Sequence, residues 1–167
     1  MNVKQYAKLI ENVLDEAELY SQSAYYLLLG TAAQESGFSY IAQLGAGPAK
    51  SFMQIEPASA FDNVFNYINF RDELRGRIWR TSQIPEDFLK RSIDKKVELI
   101  EIEKMLERNM AFSILQARIK YFRVPHPIPS NIQGMAKYWK QHYNTELGAG
   151  TEEEFLKNYG RYGLTDL

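Results

Sequence analysis

Glu35 closes the apolar stretch YYLLLGTAAQES, whose pattern predicts a helix begun at Ser21 or Ser23 and stopped at Gly37. Leu28, Thr31 and Ala32 lie seven, four and three positions before it and share its face. A carboxyl group on such a face is poorly solvated, which favours its neutral form. The negative end of the helix dipole also opposes ionisation. Both effects raise its proton affinity, the property a general acid needs near neutral pH. Taken alone, a glutamate at a helix end is more often a solvated cap. Two further acids, Glu56 and Asp62, follow the segment around Gln54 and are candidates for a second carboxylate. Glu56 sits between Ile55 and Pro57 at a turn, whereas Asp62 reads as a helix-surface charge.

Other chemistries are limited by composition. The chain has no cysteine, which removes disulfides, thiolate metal sites and a cysteine nucleophile. Its two histidines, His126 and His142, are too few for a histidine-rich metal centre. His126 lies in a proline loop, and His142 on an aromatic helix reads as a packing or surface residue. No metal and no cofactor are expected. GAGPAK lacks the Gly-Lys-Ser/Thr ending of a phosphate loop. Twenty basic against 21 acidic residues leave a formal charge of -1, so nucleic acid and anionic membranes are not expected partners. The longest apolar run, AYYLLLGTAA, is far short of a membrane span. The first twenty residues read as a charged amphipathic helix without the apolar core of a secretory signal. A soluble protein made in the cytoplasm is the expectation.

Positioning these residues falls to helices. The expected architecture is mainly α, one domain over residues 1–167, with little or no β-sheet. Leu9, Ile10, Val13, Leu14 and Ala17 form one apolar stripe. Helical spacing returns in ASAFDNVFNYINFRDEL, in IPEDFLKRS with Pro85 at an early position, and across residues 94–123. Asn109 interrupts or caps that long stretch. KKVELIEIEK reads as a solvated helical face with i,i+4 charge pairs. VPHPIPSN must break the helix, IQGMAKYWKQHYN resumes it, and Thr151 opens a capping box in TEEEFLKNY. Around the glycine-rich QLGAGPAKS, the flanks FSYIAQL and SFMQIE are candidates for short strands. Trp79 reads as core, and Trp139 is balanced between core packing and stacking on a sugar. At 13% aromatic residues, the chain has rings enough for both a core and a groove.

The order of four segments adds to this reading. Glu35-Ser36-Gly37 ends a helix, a loop follows, and then comes Ser51-Phe52-Met53-Gln54-Ile55-Glu56-Pro57-Ala58. Asn109-Met110-Ala111-Phe112 opens a later helix, and Trp139-Lys140-Gln141-His142-Tyr143-Asn144-Thr145 lies beyond it. This series, spanning about residues 24–145, resembles the soluble lytic transglycosylase and goose-type lysozyme group, with the glutamate before proline similar to phage-encoded members. The resemblance implies a lysozyme-like domain that cleaves the β-1,4 bond between N-acetylmuramic acid and N-acetylglucosamine in peptidoglycan. Glu35 would protonate the glycosidic oxygen. Met53 and Gln54 would line the groove, Tyr143 would orient Glu35 or the departing sugar, and Asn144 would support that corner. Ser36 would bond substrate or a neighbouring loop. Apart from the resemblance, the position of Glu56 at its turn suggests that it faces the groove. The chain departs from the group's pattern at Ser51-Phe52 and at Thr145-Glu146.

Within that group a single glutamate suffices when the muramic 6-hydroxyl attacks and closes a 1,6-anhydro ring. Hydrolysis instead calls on a second carboxylate at a suitable distance. The single strong acid favours the transglycosylase outcome. The partners implied are peptidoglycan glycan strands and, for a phage-borne enzyme acting at the bacterial wall, other virion proteins. The rival reading is a virion structural or adaptor protein with this fold and weak or no turnover.

Overall fold

The structure, a computed structural model, describes residues 1–45, 47–84, 95–144 and 148–167. Among the described residues the fold is mainly α. Its helices are α1 (Val3–Glu16), α2 (Gln22–Ser36), α3 (Pro57–Asn66), α4 (Asp72–Thr81), α5 (Lys95–Arg108), α6 (Met110–Phe122), α7 (Ile132–Trp139) and α8 (Glu152–Arg161). The helix start expected at Pro85 and the departure at Thr145-Glu146 lie outside the described residues.

Local chemistry sets the helix ends. Ser21 caps α2 by accepting the Ala24 N–H at 3.1 Å. Gly37 ends it at φ 55°, a left-handed conformation that glycine adopts without steric cost, and its N–H returns to the Ala33 carbonyl. Asn109 separates α5 from α6 and caps the latter: its Oδ1 accepts from Phe112 N at 2.9 Å, while its Nδ2 donates to the Ser82 carbonyl at 2.7 Å. Thr151 and Glu154 form the reciprocal capping box of α8.

Two helices run through the centre. α2 buries Leu27, Leu28, Leu29, Thr31, Ala32 and Ala33, and α6 is buried from Phe112 to Ile119. Helices buried on most faces must satisfy their few polar groups internally. Thr31 Oγ1 and the Tyr121 hydroxyl do this with a 2.7 Å hydrogen bond between them. α8 closes over α2 at Gly30, where an added Cβ would lie 2.3 Å from Phe155 Cζ. Gly30→Ala should therefore cost about 1–3 kcal/mol of stability through overpacking. Urea denaturation checks this, and an unchanged midpoint would show that Phe155 yields freely.

The two candidate strands do not form. Instead Lys50 makes isolated antiparallel bridges to Ala42 and to Ile55. Ladders cannot extend here because Ser51 (φ 65°) and Gln54 (φ 47°) turn the backbone into the left-handed region between them. The charged face of α5 is solvated as its sequence suggests, with Glu103 43% and Glu107 36% exposed, and it also anchors a loop. Lys50 Nζ reaches Glu103 at 3.1 Å and Glu107 at 2.8 Å, fastening the loop to that helix. Trp79 is core, at 2% exposure, as its surroundings in sequence suggested.

Candidate active site

The last turn of α2, the loop residues Tyr40, Leu44 and Gln54, the start of α3, Lys120 of α6, Tyr143 and Asn144 beyond α7, and the outer end of α8 surround a cleft of about 750 Å³. That size suits a small-molecule or oligomeric ligand. Glu35 lines it, at the end of a helix whose preceding turns are fully buried. Burial pushes its carboxyl up to about 7 from an ordinary 4.5, partly opposed by the Trp139 indole bond and the Lys120 charge. The apolar face read from Leu28, Thr31 and Ala32 is present: all three are buried.

Trp139 settles its two roles in favour of the interior. It is fully buried, with its ring 5.4 Å from Phe155, and its Nε1 donates to Glu35 Oε1 at 2.9 Å. The chain passes over this indole at Gly150, where a Cβ would sit 2.7 Å from Cη2. The bond fixes the carboxyl rotamer and leaves Oε2 free of that partner.

After Trp139 the helix widens into a π turn, Lys140–Asn144. Such turns re-aim side chains and recur at functional sites. Here the turn carries Tyr143 under the cleft, where its hydroxyl donates to the Met53 carbonyl at 2.7 Å. The side-chain hydrogen bond to Glu35 comes from Trp139, while Tyr143 lines the cleft and props the 51–54 turn. Asn144 lines the cleft: its Oδ1 accepts from Lys140 Nζ at 2.8 Å, and the same ammonium donates to the Gly148 carbonyl.

The remaining residues divide. Ser36 Oγ donates to the Phe52 carbonyl at 2.9 Å and accepts from Phe38 N at 3.2 Å, tying the helix end to the neighbouring loop. Gln54 lines the cleft, its side chain donating to the Ser51 carbonyl at 2.7 Å. Met53 does not line it: the side chain is fully buried and forms the floor's underside, because the left-handed turn directs it inward. Phe52 joins the core too, its ring edge-on to Tyr6 at 5.2 Å. Glu56 is exposed on the cleft at the cap position of α3, whose cap carries no side-chain bond. Asp62 lies elsewhere. It pairs with Arg123 at 2.5 Å and accepts from Asn66 at 2.7 Å, and these two bonds hold its carboxyl below the usual range.

Lys120 was not singled out from the sequence. It projects from α6 into the cleft, donates to the Tyr143 carbonyl at 2.8 Å and lies 4.2 Å from that ring's centroid. Its signal was present as a charge in a helix otherwise apolar around it, but nothing local tied it to Glu35. Desolvation lowers the proton affinity of Lys120, and the charges of Glu35 and Glu56 partly restore it. Among the described residues no group of three or more His, Cys, Asp or Glu is placed to hold a metal.

His142 packs edge-on to Tyr138 at 4.5 Å, in keeping with a packing residue. Comparison with known proteins adds no relative: no family model matches the chain, and neither a curated protein nor a solved structure does.

Proposed function

We propose that this protein cleaves the glycan strands of bacterial peptidoglycan, as a lytic transglycosylase of the phage type in which Glu35 is the acid. The observation that carries the reading is one carboxyl, aligned by a buried indole, poised at about 7 inside a cleft. Protonated Glu35 donates its proton to the oxygen linking N-acetylmuramic acid to N-acetylglucosamine. As that C1–O bond breaks, the muramic 6-hydroxyl bonds to C1 from within the same sugar. The hydroxyl proton returns to the Glu35 carboxylate, so acid and base are one group and no water is consumed. Activity should then be highest below about 7 and fall as pH rises through that value, when Glu35 loses its proton. A pH–rate profile checks this; a profile rising through neutrality contradicts it.

A hydrolytic outcome has one observation in its favour: Glu56 opens onto the same cleft. A carboxylate there could activate water in place of the sugar hydroxyl. Digestion of purified sacculi, read by mass spectrometry of the released fragments, separates the outcomes. Muropeptides lighter by one water than their hydrolysed counterparts support the transglycosylase, and the heavier set supports the hydrolase. Absence of any released fragment overturns both, and binding to the sacculi without product favours a virion structural or adaptor domain.

The cleft's outer wall carries Tyr40 and Leu44, apolar side chains exposed by 47% and 67% at its mouth. Flat apolar surface left in solvent beside polar groups suits the face of a sugar ring. Tyr40→Ala should raise KM by about tenfold, the equivalent of ~1.4 kcal/mol, with kcat little altered. Steady-state kinetics on soluble glycan chains make the comparison.

A further inference from the structure

The cleft places one half-buried cation among its acids. Lys120 reaches in from α6 to the wall shared with Glu35 from α2 and Glu56 from the start of α3. Its ammonium is not free to wander: the Tyr143 carbonyl holds it at 2.8 Å and the Tyr143 ring faces it at 4.2 Å. An ammonium carries three donors, so this anchor leaves two for the cleft. We propose that Lys120 is a positioning residue whose fixed charge sets how readily Glu35 releases its proton and couples Glu35 to Glu56. The inference rests on the reading of Glu35 as the acid.

The physical argument is one of balance. Burial alone would hold the proton on Glu35 too tightly for donation, because the carboxylate left behind would have no counter-charge. A cation across the cleft stabilises that carboxylate and so eases the transfer. It must not form a close pair, since a tight ion pair would leave Glu35 ionised from the outset. Holding Lys120 on a backbone carbonyl and an aromatic face gives the charge a fixed seat. The other groups facing this space are Arg161 from α8, Tyr40, Tyr162, and the buried Tyr143 and Tyr121. Burial keeps Tyr121 and Tyr143 protonated, so they supply no charge. Arg161 is exposed at the rim, where solvent screens it. Glu56 is the remaining partner, and its charge supports Lys120 in the cationic form.

Trp139 provides a reporter that needs no glycan. Its indole N–H donates to Glu35, so its NMR resonance follows the carboxyl's titration, and the chain has only two tryptophans to distinguish. Lys120→Gln keeps a donor for the Tyr143 carbonyl and removes the charge; Lys120→Arg keeps the charge. The midpoint read at the indole should rise by roughly one pH unit in Lys120→Gln and stay close to the parent in Lys120→Arg. The alkaline limb of sacculus digestion should move by the same amount. An unmoved midpoint in folded Lys120→Gln overturns the proposal, as does an equal shift in Lys120→Arg. A moved midpoint in a protein that releases no muropeptides keeps the Lys120–Glu35 coupling and removes the glycan reading. An unmoved midpoint in a protein that does release them has the opposite meaning.

Discussion

Glu35→Gln should lower the rate of glycan cleavage by roughly three orders of magnitude while making the protein more stable above neutral pH. The first effect follows from removing the proton that must reach the glycosidic oxygen. Glutamine preserves shape and can still accept the Trp139 indole bond, so the loss isolates the proton. The second effect follows from linkage. In the unfolded chain the carboxyl titrates near 4.5, and in the folded protein it holds its proton up to about 7. Below the lower value both states are protonated and the group is neutral towards stability. As pH rises between the two, the unfolded state loses its proton first and gains relative to the folded one. Above about 7 the full cost is present. Discounted for partial solvent access, that cost is about 2–3 kcal/mol, and the glutamine variant escapes it. Urea denaturation at about pH 4 should find the two proteins equal, and at about pH 8 the variant ahead. An acid that weakens its own fold when ionised is what a functional site, rather than a structural one, would retain. Equal stability at both pH values would mean that the carboxyl is not desolvated.

Trp139→Phe should cut kcat by about one to two orders of magnitude and move the alkaline limb of the pH profile upward. The indole N–H stabilises the ionised form of Glu35 and fixes its rotamer, and phenylalanine can do neither. Because Trp139 is fully buried against Phe155, the smaller ring also leaves a cavity costing about 1–3 kcal/mol. A role confined to packing would lower stability and leave the limb in place. The joint measurement of kcat, KM, pH profile and denaturation midpoint tells these apart.

Much of the helical frame follows from short-range chemistry. Ser21, Asn109 and Thr151 act on backbone groups within three residues, so their caps can be read from their own neighbourhoods. Gly37 is similar, since a helix end in the left-handed region names its residue. The apolar face that raises the proton affinity of Glu35 is also local, being built from the two preceding turns. What organises the cleft is not local. The Trp139–Glu35 bond joins residues 104 apart in sequence, and the Tyr143–Met53 bond joins residues 90 apart. Trp139 and Tyr143 are spaced to share a helix face, yet spacing does not say that one meets Glu35 and the other the Met53 carbonyl. Met53 shows the same gap. A left-handed turn, which no glycine announces, sends its side chain into the core while Gln54 beside it lines the cleft. The anchoring of the α5 charges is not legible locally either, because their partner, Lys50, lies more than fifty residues earlier in the chain.

The decisive quantity is the proton affinity of the Glu35 side chain in the folded protein. With carbon-13 at the glutamate δ position, and the Glu35 signal assigned by its loss in Glu35→Gln, the carboxyl can be titrated directly by NMR. A midpoint near 7, where burial beside Trp139 places it, is the expected result. A midpoint in the ordinary carboxylate range would contradict a desolvated acid and with it the proton donor on which the proposed cleavage depends.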